Sequence, residues 1–322
     1  MKSDIFWKGV AILALSFFAP LTVAFLDSPG LTLSVAKLDV SHPPGQPGFL
    51  ILHSILELIP IGTLAWRMSG VGIVATVMGT ILLANVVKRF FPSLPIFASI
   101  WILFVLPSLW LQLFRQEVYP FVFLFGALTL RSLVDYMSRE SSFSRIAIEW
   151  GMYAGLAVSM HPLIAFAHHF PIFICFVAIA IKRNQFVVAD LVKCSALFSI
   201  GLGSYLYIPW RAAKVLPMNF ATPDSWGRFW SFFTGSMYGS FDREVSPGLN
   251  ENLSNLLSQL MAENGVLLIG VAFILGSLTV WRLRKSKLFL LLGVSIPIFT
   301  LPVLLGYDIG SRNPDIVGYV ML

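Results

Sequence analysis

The chain has 322 residues, 57% of them hydrophobic and only 12% charged, with a mean hydropathy of +0.81. Soluble domains carry about 25% charged residues, so this alphabet cannot build a water-facing surface for a globule of this size. The formal net charge of +6 does not mark a nucleic-acid-binding face, because the Lys and Arg residues sit in short clusters between apolar runs.

Lys2 and Lys8 precede an apolar stretch from Gly9 to Leu26, longer than a signal-peptide core, which predicts an uncleaved first span. Apolar runs of the ~17–25 residues that a bilayer core requires then recur along the chain. They predict spans over roughly 8–26, 70–87, 95–113, 119–135, 147–166, 170–181, 188–208, 264–281 and 288–306. The expected fold is therefore an all-α polytopic bundle of about nine transmembrane spans. Segment 49–66 is apolar enough to cross, yet it contains His53, Glu57, Pro60 and Gly62 and follows a Pro/Gly cluster, which predicts an interfacial or re-entrant helix. Cys175 and Cys194 lie inside apolar runs and support neither a disulfide framework nor a zinc site. With no repeat, low-complexity tract or polar linker, residues 1–322 read as a single membrane domain. Its last residues, Val320-Met321-Leu322, fall inside an apolar run, which predicts that the natural chain continues.

The charges set the expected topology. If 49–66 does not cross and the N-terminus is cytoplasmic, Lys2, Lys8, Lys88, Arg89, Arg131, Arg139, Arg145, Lys182, Arg183, Arg282, Arg284, Lys285 and Lys287 all lie inside. If it does cross, every cluster from Lys88 onward moves outside, against the positive-inside bias. The first arrangement puts five segments outside: 27–69, the turn near Arg115 to Tyr119, the turn near His161 to His169, the loop 209–263 and the tail after Gly306.

These outer segments hold the unusual polar residues. Asp27, directly after the first span, sits at headgroup level, where a lipid-linked phosphate is presented, and is a candidate general base; the plainer reading is a helix-capping or interfacial Asp. In His42-Pro43-Pro44-Gly45-x-Pro47 the prolines and glycine fix a rigid turn that aims the imidazole, where the plainer reading is a loop that breaks a helix. Glu117, expensive in hydrocarbon, must lie at the interface or in a wet cavity, or else pair with Arg115. His161, His168 and His169 fall at one outer turn, but their positions follow no fixed ligand spacing and no metal site is assigned. Arg211 follows the aromatic run Tyr205 to Trp210 and emerges where a planar guanidinium suits bidentate phosphate binding; an aromatic-belt anchor is the alternative.

Asp27-Ser28 followed, fifteen residues after the aspartate, by His42-Pro43-Pro44-Gly45-x-Pro47 resembles the signature of a family related to protein O-mannosyltransferases, whose members are taken to be glycosyltransferases of the GT-C membrane fold. Glu117-Val118-Tyr119 after Trp110, Ser204 to Ala212, and Pro217-x-Asn219-Phe220-x-x-Pro223 followed by Tyr238 are similar to further stretches of that family. The chain departs from the pattern in two places. Pro29 and Gly30 stand where the family has a second acidic residue, and Asn219-Phe220-Ala221-Thr222-Pro223 replaces an Asn-Trp-Gly-Asp-Pro pattern. Asp39 and Asp224 are the alternative carboxylates.

The resemblance implies a membrane enzyme that moves a sugar from a polyprenyl-phosphate carrier to a protein or glycan acceptor on the extracytoplasmic side. Asp27 would accept the acceptor's proton, and Arg211 with His42 would stabilise the leaving phosphate. Glu117, Tyr119, Asn219 and Tyr238 complete the implied substrate- and carrier-binding set. A sugar phosphate is already activated, so no nucleotide fold or redox cofactor is required, and the need for a divalent metal stays open. The expected partners are the lipid-linked sugar, the acceptor and membrane lipid. Two alternatives stay open: a transporter or flippase for a lipid-linked sugar, which usually shows repeated halves, and a catalytically inactive relative.

Overall fold

The computed structural model describes residues 19–24, 27–90, 115–214 and 220–237, with the single residues Ser254 and Ser258. The spans expected over 95–113, 264–281 and 288–306, most of the one over 8–26, and the candidates Asn219 and Tyr238 lie outside the described residues.

The helices in chain order are α1 (Ser28–Lys37), α2 (Pro47–Glu57), α3 (Leu64–Phe90), α4 (Tyr119–Met137), α5 (Phe143–Met160), α6 (Pro162–Lys182), α7 (Val188–Gly203), α8 (Tyr207–Ala212) and α9 (Trp226–Phe233). A 3₁₀ turn, Ser204–Leu206, joins α7 to α8. Proline sets several starts: α1, α2, α4 and α6 each carry it at the first or second position, where its missing N–H costs nothing and its fixed φ suits the helix. Helix α5 is started differently, by the Ser142 hydroxyl accepting the Arg145 N–H at 3.2 Å.

Among the described residues four helical stretches are long and apolar enough to cross a membrane: Leu64–Arg89, Tyr119–Met137, Pro162–Lys182 and Val188–Ala212. Segment 49–66 forms no continuous helix, since α2 ends at Glu57 and α3 begins at Leu64. An eleven-residue α2 is about 16 Å long, half a hydrocarbon core. One of its faces is apolar and exposed at Ile51, Leu52 and Ile55. On the opposite face His53 is buried against the rings of Phe49 and Phe121 at centroid distances of 4.0 and 5.1 Å. Desolvation there lowers its pKa to about 4, partly offset by the 2.9 Å bond from Nδ1 to the Phe49 carbonyl.

The region 147–181 differs from expectation. The turn expected over 161–169 narrows to His161, because Pro162 starts α6 at once. His168 and His169 therefore lie within α6 and are buried. Pro171 sits inside that helix, and Trp150 of α5 donates its indole N–H to the nearby His169 carbonyl at 2.9 Å. Helix α5, with Arg145 and Glu149 in its first half, is not among the four crossing stretches.

Three pairings organise the bundle. Helices α5 and α7 meet backbone to backbone: a Cβ on Gly201 would lie 2.0 Å from the Gly155 carbonyl oxygen, and one on Gly151 would lie 2.4 Å from that of Cys194. Close approach through small residues is how helices associate where no hydrophobic driving force separates them from lipid. Phe49, Leu50, Met68, Val122, Met160 and Ile164 bury one core that holds α1 and α2 against α3, α4, α5 and α6. At the C-terminal ends of α3 and α4, Arg89 binds Asp135 at 2.6 Å and Glu140 at 3.1 Å, while Arg183 donates to the Tyr136 and Met137 carbonyls at 2.7 and 2.8 Å. Those carbonyls end a helix and accept a cation well. Helices α3 and α4 therefore run in the same direction, with a basic end at Arg89 and Arg183.

Candidate functional site

At the opposite end of the bundle, the loop between α1 and α2 is built by long-range contacts. Leu38 turns left-handed at the end of α1, leaving the last carbonyls of that helix to be satisfied. Arg211 of α8 does so, Nε donating to the Leu38 carbonyl at 2.6 Å and Nη2 to that of Lys37 at 3.1 Å. The Tyr207 hydroxyl donates to the same Leu38 carbonyl. Asp39 is fully buried, its Oδ1 3.9 Å from Arg211 Nη2. The guanidinium expected to meet a phosphate is thus fixed by backbone oxygens and a buried carboxylate.

The His-Pro-Pro-Gly turn closes with the Gly45 N–H bonded to the His42 carbonyl at 2.8 Å. Glycine is required at position 45 on two counts: φ is +97°, and a Cβ would lie 2.4 Å from Ile208 Cδ1 and 2.9 Å from Phe232. The turn aims His42 at Asp27, whose Oδ2 lies 3.4 Å from His42 Nε2, with side chains 19% and 47% exposed respectively. Asp27 occupies the N-cap position of α1 but makes no side-chain capping bond. That departs from the capping reading, in which its carboxylate would bond the first N–H groups of the helix.

Around the pair stand His161 and three residues that the sequence did not single out, Ser41, Gln46 and Gln116. The buried Gln46 approaches His42 Nε2 at 3.0 Å with its amide, and its other end is 2.6 Å from the Ser41 hydroxyl. In the family-like signature Gln46 is the unspecified x, so nothing in the pattern marks it. His161 caps α6, accepting the Ile164 N–H. Burial first, and the charge of His42 second, hold its pKa down at about 3. Gln116 is buried as well, bonding the Ala24 N–H, the Ala65 carbonyl and the Ser69 hydroxyl at 3.0, 3.2 and 2.7 Å.

The other candidates are placed as follows. Glu117 is buried and bonded to Arg115 at 2.9 Å, and the hydroxyl of Ser28, next to Asp27, lies 3.4 Å from the same carboxylate oxygen. Tyr119 is buried at the start of α4. Asp224 pairs with Arg228 at 2.8 Å on the surface. Inside the bundle, His169 Nδ1 meets the Thr129 hydroxyl at 3.0 Å. Among the described residues no group of three or more His, Cys, Asp or Glu side chains is arranged to hold a metal ion. A cavity of about 290 Å³ opens beside the turn, lined by Pro43, Pro44, His161, Pro162, Phe166 and Phe233. The assembled chemistry is an accessible carboxylate facing an imidazole, beside a mostly apolar hollow.

No solved structure matches the chain. Residues 27–186, a stretch that opens on Asp27 and includes the His42 turn, Arg115 to Tyr119 and helices α1 to α6, match the family model described as the protein O-mannosyl-transferase TMEM260 N-terminal domain, which relates this chain to the O-mannosyltransferases.

Proposed function

We propose that the protein is a membrane glycosyltransferase of GT-C-like architecture. It moves a sugar from a polyprenyl-phosphate carrier to a hydroxyl of a protein or glycan acceptor on the extracytoplasmic side. The observation that carries the reading is the Asp27–His42 pair, a half-exposed carboxylate not used for capping and 3.4 Å from an imidazole, at the point where the family match begins. As the glycosyl–phosphate bond breaks, the acceptor hydroxyl loses its proton to Asp27. Arg211 acts on the leaving phosphate through its charge, from a position fixed in advance by Leu38 and Lys37. The hollow beside Pro43 and Pro44 is apolar enough to take the first part of an isoprenoid chain. Its place at the end of the bundle away from Arg89 and Arg183 supports the extracytoplasmic assignment.

The test is to incubate the purified protein in lipid with a panel of polyprenyl-phosphate sugars and measure released polyprenyl phosphate. Release from at least one carrier, dependent on an acceptor, is expected. No release from any carrier, with the carriers still bound, would favour an inactive relative.

A further inference from the structure

The Ser41–Gln46–His42 contacts admit two sets of hydrogens, and the distances select one of them. The 2.6 Å separation between Ser41 Oγ and the Gln46 side-chain oxygen fits an O–H···O bond and is too short for an ordinary N–H···O bond. The amide oxygen of Gln46 therefore faces Ser41, and its NH₂ faces His42 Nε2 at 3.0 Å. An NH₂ only donates, so Nε2 must present its lone pair, and the imidazole proton sits on Nδ1. That lone pair also lies 3.4 Å from Asp27 Oδ2. The second oxygen contact of Ser41, 3.0 Å to the Gly45 carbonyl, gives its hydroxyl another acceptor if Gln46 turns over.

We infer that Gln46 is a positioning residue that holds neutral His42 as the Nδ1–H tautomer, ready to take from Asp27 the proton that Asp27 has accepted. This rests on the reading of Asp27 as the base. In the step, the Asp27 carboxyl O–H bond breaks and its electron pair returns to the oxygen. The proton forms an N–H bond with the Nε2 lone pair, leaving a carboxylate and an imidazolium. The Gln46 amide then rotates by half a turn, so that its oxygen accepts from Nε2–H and its NH₂ donates to Ser41. The Ser41 hydroxyl swings to the Gly45 carbonyl. Every hydrogen bond is exchanged and none is lost, so the relay resets when the imidazolium releases its proton to solvent. Among the described residues the titratable groups facing His42 are Asp27, from the start of α1, and His161, from the α5–α6 corner; Asp39 of the same loop pairs with Arg211 of α8. Burial first, and a charged His42 second, disfavour charge on His161.

The experiment is ¹⁵N NMR of the full chain in lipid nanodiscs with labelled histidine, the His42 signals being those lost in His42→Asn. Wild type is expected to show neutral His42 protonated on Nδ1. Gln46→Leu should release it to the Nε2–H form that free imidazoles favour. Gln46→Glu, an acceptor only, should raise the titration midpoint by about one unit or more, a tenfold change in proton affinity. Should Gln46→Leu fail to fold, Ser41→Ala frees the amide and should mix the tautomers, and the wild-type spectrum stands by itself. Nε2–H in the wild type, or an unchanged tautomer in the variant that folds, would overturn the relay. The tautomer is read without any transfer, so an Nδ1–H wild type that transfers nothing keeps the relay geometry and removes the enzyme reading. Active transfer with Nε2–H in the wild type does the reverse.

Discussion

Arg211 shows how much of a residue's role depends on partners far away in sequence. From the sequence it is a guanidinium at the end of an aromatic run; in the fold it holds carbonyls more than 170 positions earlier. A backbone oxygen leaves no sign in a sequence pattern, and the C-terminus of α1 is capped from outside its own neighbourhood. Lysine in its place carries the charge but lacks the planar fork that holds both carbonyls from fixed positions. Arg211→Lys is therefore expected to destabilise the fold by about 1–2 kcal/mol and to weaken carrier binding as well. Thermal unfolding and binding of a synthetic polyprenyl phosphate, measured on the same samples, check this. A lower Tm with unchanged affinity would confine Arg211 to holding the loop. Asp27 and His42 were legible as candidates because their residue types and spacing mark them, and the fold brings them within 3.4 Å of each other. Gln46 and Ser41 were not, because an amide and a hydroxyl acquire meaning only from the geometry of what they touch.

At the scale of elements, long apolar runs gave away α3, α4 and α7 closely, and proline explains where the reading of 147–181 went astray. His161-Pro162 looks like part of a broad polar turn when His168, His169 and Pro171 follow. The fold instead starts α6 at Pro162 and keeps Pro171 inside the helix. The spacing Gly151-x-x-x-Gly155 was visible in the chain, but its partner Gly201 was not, since a small-residue face names no neighbour. Gly201→Ala puts a Cβ about on top of the Gly155 carbonyl, and overpacking of this kind costs about 1–3 kcal/mol. At Gly203 an added Cβ meets nothing within 4 Å, and alanine there should be neutral or stabilising by a few tenths of a kcal/mol to ~1 kcal/mol. Thermal unfolding in lipid separates the two, and equal Tm values would contradict the close α5–α7 contact.

For the whole molecule, the two ends of the bundle differ in kind. One gathers Arg89, Arg183, Asp135 and Glu140; the other gathers Asp27, His42, His161 and Arg211. Helix α3, with 27 residues, is about 40 Å long, enough to keep these ends on opposite sides of a bilayer. The positive-inside bias then supports the proposal that the Asp27 end faces outside. Cys175 and Cys194 are buried, so single cysteines at Asn184 and Asp224 can be tested in intact cells. An impermeant maleimide should label Asp224→Cys and spare Asn184→Cys; the reverse pattern would invert the topology. The proposed mechanism requires that Asp27 take the acceptor's proton. Asp27→Asn keeps the size of the side chain but not its basicity, and losing a general base typically costs about 10²–10⁴ in rate. Carrier release under single-turnover conditions, measured for wild type and Asp27→Asn at matched carrier occupancy, should fall by that factor, and an Asp27→Asn protein that folds, binds carrier and releases it at the wild-type rate would contradict the mechanism.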